Sequence, residues 1–142
     1  MTFIRRSITA LFVLSAVATA SAFAQSSGTK PKAKAGDPIV QDRPLSAWIA
    51  DLSGDAPYTR VSAAYAVGSA GAAAKAAIPA LMANLDSENA TVRYSSTLAL
   101  GEIGPDAAAA VPALQKELDD RNDDVAHMAK KALKQITGEA VE

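Results

Sequence analysis

The six residues AVGSAG at positions 66–71 return as ALGEIG at 99–104, 33 positions later. A fixed internal period of about 20–50 residues marks a chain built from stacked copies of one supersecondary unit, and it constrains the fold more than any composition can. Sliding the chain by 33 also superposes Arg60 on Arg93, Ser62 on Ser95, Pro79-Ala80-Leu81 on Pro112-Ala113-Leu114, and Leu85-Asp86 on Leu118-Asp119. A further step carries Val92, Ala99, Leu100 and Ile103 onto Val125, Ala132, Leu133 and Ile136. A backward step carries Ile78, Leu81, Met82 and Leu85 onto Leu45, Trp48, Ile49 and Leu52. The folded region is therefore read as 45–138: a half unit at 45–53, full units at 54–86 and 87–119, and a half unit at 120–138, followed by a short tail at 139–142.

Each unit reads as a pair of helices. Val125, Met128, Ala129, Ala132, Leu133 and Ile136 fall on one helical stripe, and Val92, Ser95, Ser96, Ala99, Leu100 and Ile103 fall on its counterpart. Serine within the second stripe allows neighbouring helices to approach closely. Alanine supplies 33 of the 142 residues, which favours helices packed through small side chains over a sheet of β-branched and aromatic residues. The expected class is all-α: a short α-solenoid of antiparallel helix pairs with about 33 residues per unit.

Punctuation supports that reading. Asn89 and Asn122 stand where a side-chain oxygen can cap the following helix, and Pro57 suits a first helical position behind the weaker cap Ala56. Gly68 with Gly71, and Gly101 with Gly104, are expected to end the first helix of each pair, supplying positive φ and a close crossing. The second helices should run from about Ala73 to Leu85 and from about Asp106 to Leu118. Pro79 and Pro112 lie inside those runs, so each helix is either kinked there or starts only near the proline.

The stretch TVRYSSTLALGEIGPDAAAAVPALQKELDD resembles the HEAT-like repeats first described in phycobilisome lyases. Val92-Arg93, Ala99-Leu100-Gly101, Ile103-Gly104 and Val111-Pro112-Ala113-Leu114 carry the likeness, which spans 45–138. That family places an Asp shortly after the second helix. Here only Asp120 fits, Gly54 and Ser87 standing at the other two positions, and Ala126 replaces the family's Arg in the last unit, as a terminal cap would. The resemblance implies a curved binding platform with no chemistry built in.

The segment 1–24 reads as a leader. Arg5 and Arg6 precede the uncharged apolar run SITALFVLSAVATA, and Ala22-Phe23-Ala24 is a small-x-small cleavage signal before Gln25. The run is short for a bilayer, so an uncleaved anchor is the lesser alternative and the mature protein is expected to have no membrane span. The residues that usually follow a twin-arginine pair are missing, which leaves the general secretory route and a periplasmic or secreted location. Without cysteine the chain can carry neither a lipoprotein anchor nor a disulfide. Residues 25–44, rich in Ser, Gly, Pro and Lys, read as a flexible linker with four basic and two acidic side chains; residues 45–142 hold 8 basic and 13 acidic ones.

The sequence offers little for catalysis. His127 with Asp123 one turn earlier lacks a third metal ligand, and no second histidine can serve a nucleophile as base. DRNDDV at 120–125 imitates the start of a calcium loop, but Val125 occupies the glycine position and Lys131 the chelating-glutamate position. No cofactor is expected. The acidic repeats lack the basic stripe that nucleic acid requires. Two functions remain: a non-catalytic exported scaffold or adaptor binding a protein through Lys75, Met82, Asn84, Gln115 and Lys116 on the second helices, or an accessory factor for a chromophore or other small ligand. The second needs an aromatic cavity, for which Trp48, Tyr58, Tyr65 and Tyr94 are available. Trp48 has an equally good structural role in sealing the leading half unit. Arg60, Gly68, Gly71, Pro79, Arg93, Gly101, Gly104 and Pro112 are assigned to architecture. Two full units make a short stack, so an uncovered apolar end is expected to dock on a partner or a second copy.

Overall fold

The computed structural model describes residues 33–139. The leader expected over 1–24, residues 25–32 of the linker and residues 140–142 of the tail lie outside the described residues. The elements run β1 (Ile39–Val40), β2 (Arg43–Pro44), α1 (Leu45–Asp51), α2 (Pro57–Ser69), α3 (Ile78–Leu85), α4 (Ala90–Ile103), α5 (Val111–Lys116) and α6 (Asp123–Thr137). Three 3₁₀ segments, Gly71–Ala77, Gly104–Ala110 and Glu117–Asp119, complete the order. The described chain is mostly helical.

α4 is the central element, packed against α2 on one side and α6 on the other. It buries Val92, Arg93, Ser95, Ser96, Thr97, Ala99, Leu100, Gly101 and Ile103. One contiguous core runs from Leu45 and Leu52 through Val67, Leu81 and Leu100 to Leu114, Leu133 and Ile136, with Ala63, Ala74, Ala99, Ala107 and Ala132 between the larger groups. The small side chains let backbones approach. A Cβ added at Gly101 would stand 3.0 Å from Ala132 Cα, and one at Gly68 would stand 3.2 Å from Ala99 Cα and overlap the Glu102 carboxylate.

The local signals acted mostly as expected. Asn89 Oδ1 accepts from the backbone N–H of Thr91 (2.9 Å) and Asn122 Oδ1 from that of Asp124 (3.1 Å), capping α4 and α6. Pro57 opens α2 behind Ala56, which makes no side-chain cap bond. The proline alternative is resolved: α3 and α5 begin one residue before Pro79 and Pro112, after a 3₁₀ segment, because the proline ring is compatible with a first turn and not with a helix interior. The glycine pairs need correcting. Gly68 and Gly101 lie inside α2 and α4 as close-approach positions, and only Gly71 (φ +56°) and Gly104 (φ +78°) make the left-handed turn.

Residues 39–44, expected to be the end of a flexible linker, form a hairpin. Ile39–Val40 pairs antiparallel with Arg43–Pro44 around a two-residue turn in which Gln41 and Asp42 both take positive φ. The hairpin is held to α1 by donors that would otherwise be orphaned: Leu45 N–H reaches Pro38 O at 2.7 Å and Trp48 Nε1 reaches Val40 O at 2.9 Å. Arg43 stacks 4.0 Å from the Trp48 ring centroid and pairs with Asp51 at 2.9 Å. Trp48 thus holds a structural position beneath the hairpin.

The expectation of an uncovered apolar end is corrected at α6, whereas large apolar side chains stay exposed on the hairpin and α2. At one flank the hairpin covers α1; at the other, α6 buries Val125, Met128, Ala129, Ala132, Leu133 and Ile136 and turns Asp123, Asp124, His127, Lys130, Lys131 and Lys134 to solvent. Polar outer faces of this kind close a stack of helices. Among the described residues the large apolar side chains that are exposed are Ile39, Tyr58 and Tyr65, on the hairpin and α2.

Candidate functional site

The helical spacing of α3 sends Ile78, Leu81 and Leu85 inward, and that of α5 sends Leu114 inward. Met82, Ala83 and Asp86 are left on one side and Ala113, Lys116 and Glu117 on the other. Together with Leu85 they line a half-open groove of about 290 Å³. Its lining is mixed: Met82, Ala83, Leu85 and Ala113 are apolar, and Asp86, Glu117 and the exposed Lys116 are charged.

Beside the groove lies a network centred on Arg93, which is 5 % exposed. Arg93 Nε and Nη2 donate to Asp120 Oδ2 and Oδ1 at 2.7 and 2.8 Å, and Nη1 donates to the carbonyls of Ser87 (2.8 Å) and Glu88 (3.2 Å). Arg121 Nη2 donates to Glu88 O at 2.9 Å and to its carboxylate at 3.1 Å. The bond from Arg93, supported by the backbone N–H of Asn122 at 2.8 Å, holds the Asp120 carboxyl down to about 2, while the same bond raises Arg93 above its ordinary value. Glu117 moves the other way. Burial pushes its carboxyl up to about 7, reinforced by the hydrogen bond and like charge of Asp120, against the opposing pull of Arg93. Glu117 Oε2 is buried and has no hydrogen-bond partner among the described residues.

Of the five side chains expected to form a binding face, Met82 and Lys116 line this groove, while Lys75 and Gln115 are exposed away from its lining. Asn84 is not on the face. It is 4 % exposed, donates from Nδ2 to Leu52 O at 3.0 Å and accepts from Arg60 Nη1 at 3.5 Å. Its polarity suggested a surface residue, but a helix-end carbonyl needed its donor. Ala83, Leu85, Asp86, Ala113 and Glu117 were missed. For Glu117 a signal existed: the step that carries Arg60 onto Arg93 also carries Asn84 onto Glu117.

In the calcium-like segment Asp120 is engaged by Arg93 and Asn122 caps α6. His127 is exposed on α6, and among the described residues no three His, Asp or Glu side chains are grouped to hold a metal ion. No helix among them is long and apolar enough to cross a membrane.

Compared with known proteins, the chain finds no match among curated sequences. A family model described as HEAT repeats matches residues 45–139, the whole helical array from α1 to the end of α6. Paired helices packed through alanine and glycine, an arginine reaching a carboxylate beyond the second helix, and that match over two thirds of the sequence lead to one conclusion: the chain belongs to the HEAT-repeat family.

Proposed function

We propose that this protein is an exported, non-catalytic adaptor: a short α-solenoid built on the period that relates Arg60 to Arg93, secreted or periplasmic after cleavage near Ala24, that binds another protein in the groove between α3 and α5. HEAT repeats generally mediate contacts between proteins. The observation that carries the reading is the groove itself, a recess of about 290 Å³ on the second-helix side whose lining combines apolar residues with charged groups to orient a guest. The chromophore reading is less well supported, because none of the residues lining the groove is aromatic and Trp48 is committed to Val40 and Arg43.

The test is affinity capture with light crosslinking from the native exported fraction, comparing the chain with its Ala83→Tyr variant. Ala83 is exposed, so the added ring fills the groove without entering the core. The expected result is one protein in stoichiometric amount with the original chain and its loss with the variant. Equal capture by both, or recovery of the bait alone, overturns the proposal.

A further inference from the structure

We infer that the α3–α5 groove is built for a cationic side chain, a lysine or arginine presented by the partner, with its alkyl stem on Met82, Ala83, Leu85 and Ala113 and its head at the Glu117 and Asp86 carboxylates. The inference rests on the function proposed above and specifies its partner. Four apolar residues supply a wall for methylene groups, and the two carboxylates supply acceptors without donors of their own. Glu117 gives the strongest indication. Its neighbour Asp120 binds Arg93 through both carboxylate oxygens, so those Arg93 donors are committed there, and Glu117 lines the groove with no ion-pair partner among the described residues. Lys116, the one cation among the lining residues, forms no ion pair with either groove carboxylate. The surrounding domain, 13 acidic side chains against 8 basic, favours the approach of a cation.

The protonation of Glu117 makes the occupant readable. The groups facing it are Asp120 after the Glu117–Asp119 segment, Arg93 on α4, Asp86 at the end of α3 and Lys116 on α5. With its carboxyl near 7, Glu117 is mostly neutral at pH 6 and mostly ionised at pH 8. A cation binds the ionised form and expels the proton, so affinity rises with pH over that interval by about tenfold.

The experiment titrates the isotopically labelled full chain with an acetylated, amidated nonapeptide of Ser, Gly and Ala carrying one central lysine. Its counterpart carries norleucine, which keeps the stem and lacks the charge. Saturable shifts at Met82, Ala113 and Glu117, with affinity about tenfold higher at pH 8 than at pH 6 for lysine and flat for norleucine, are expected. Glu117→Gln should abolish the pH dependence. Asp86→Asn, at an exposed position that cannot disturb the core, should weaken the lysine peptide and move the pH dependence to lower pH, because the Asp86 charge helps raise the Glu117 carboxyl; Lys116→Gln should tighten it. Norleucine binding as tightly as lysine, or no saturable shift at these residues with lysine, overturns the inference. If Ala83→Tyr still abolishes partner capture in that event, the adaptor reading stands and only the cationic guest falls.

Discussion

Arg60 on α2 and Arg93 on α4 stand one period apart, and each has two counterparts at matched positions further along the chain. For Arg60 these are Asn84 and Ser87; for Arg93 they are Glu117 and Asp120. The first set is neutral apart from the arginine. Asn84 donates to Leu52 O and accepts from Arg60 at a long 3.5 Å, and Arg60 Nε is buried without a partner among the described residues. The second set is ionic and tightly bonded, with both Asp120 oxygens and two backbone carbonyls accepting from Arg93. A single backbone plan therefore accommodates a loosely satisfied arginine in one place and a buried ion pair in the other. The difference lies in two side chains: an amide can donate to a helix-end carbonyl, whereas a carboxyl at the same offset can donate only when it is protonated.

The largest expected effect breaks the ionic set. Asp120→Ala leaves Arg93 buried without its counterion and should cost about 3–5 kcal/mol in urea unfolding. Asn84→Ala should cost less, about 1–3 kcal/mol, since it strands the Leu52 carbonyl and removes only a long 3.5 Å bond from Arg60. Next comes the turn shared by both units. Gly104 sits at φ 78°, ψ −143°, a region open essentially to glycine, so Gly104→Val should lower stability by about 1–3 kcal/mol in thermal melts.

The third prediction is a difference in pH response. Asp120, lowered to about 2 from an ordinary 3.8, contributes stability that is present above about pH 4 and lost as pH falls toward 2. Glu117, raised to about 7 from 4.5, has the opposite sign: its protonated form is favoured by folding, so stability is lost as pH rises from 4.5 through 7. Glu117→Gln should therefore match the original chain's Tm near pH 4.5 and exceed it at pH 8. The Arg60 set has no carboxylate at the two matched offsets, so Asn84→Gln should produce no such crossing pair of curves. The smallest effect sharpens the comparison by converting one set toward the other: Ser87→Asp offers Arg60 a carboxylate and should stabilise by up to about 1 kcal/mol at neutral pH.

Much of this protein was determined by the sequence alone. The internal period, the apolar stripes and the alanine content dictated packed helices, because a stripe recurring at helical spacing can only be buried against another element. Asn89, Asn122 and Pro57 marked helix starts because capping and proline geometry are local properties, settled within a few residues. Asp120, singled out as the one matching carboxylate, proved to be the partner of Arg93.

What tertiary structure alone decided are the matters of contact between distant segments. Residues 37–44 looked like linker because their own composition buries nothing; they fold against α1 because Leu45 and Trp48 need acceptors and Pro38 and Val40 provide them. Gly68 and Gly101 read as helix ends, but the next helix lies where their side chains would be. Asn84 read as part of a binding face until Leu52 O claimed its donor, and the raised proton affinity of Glu117 comes from burial and Asp120. Periodicity fixes which face of a helix is buried, since it is a property of one segment. Which buried polar groups meet, and which are left unmet, depends on the distances between segments.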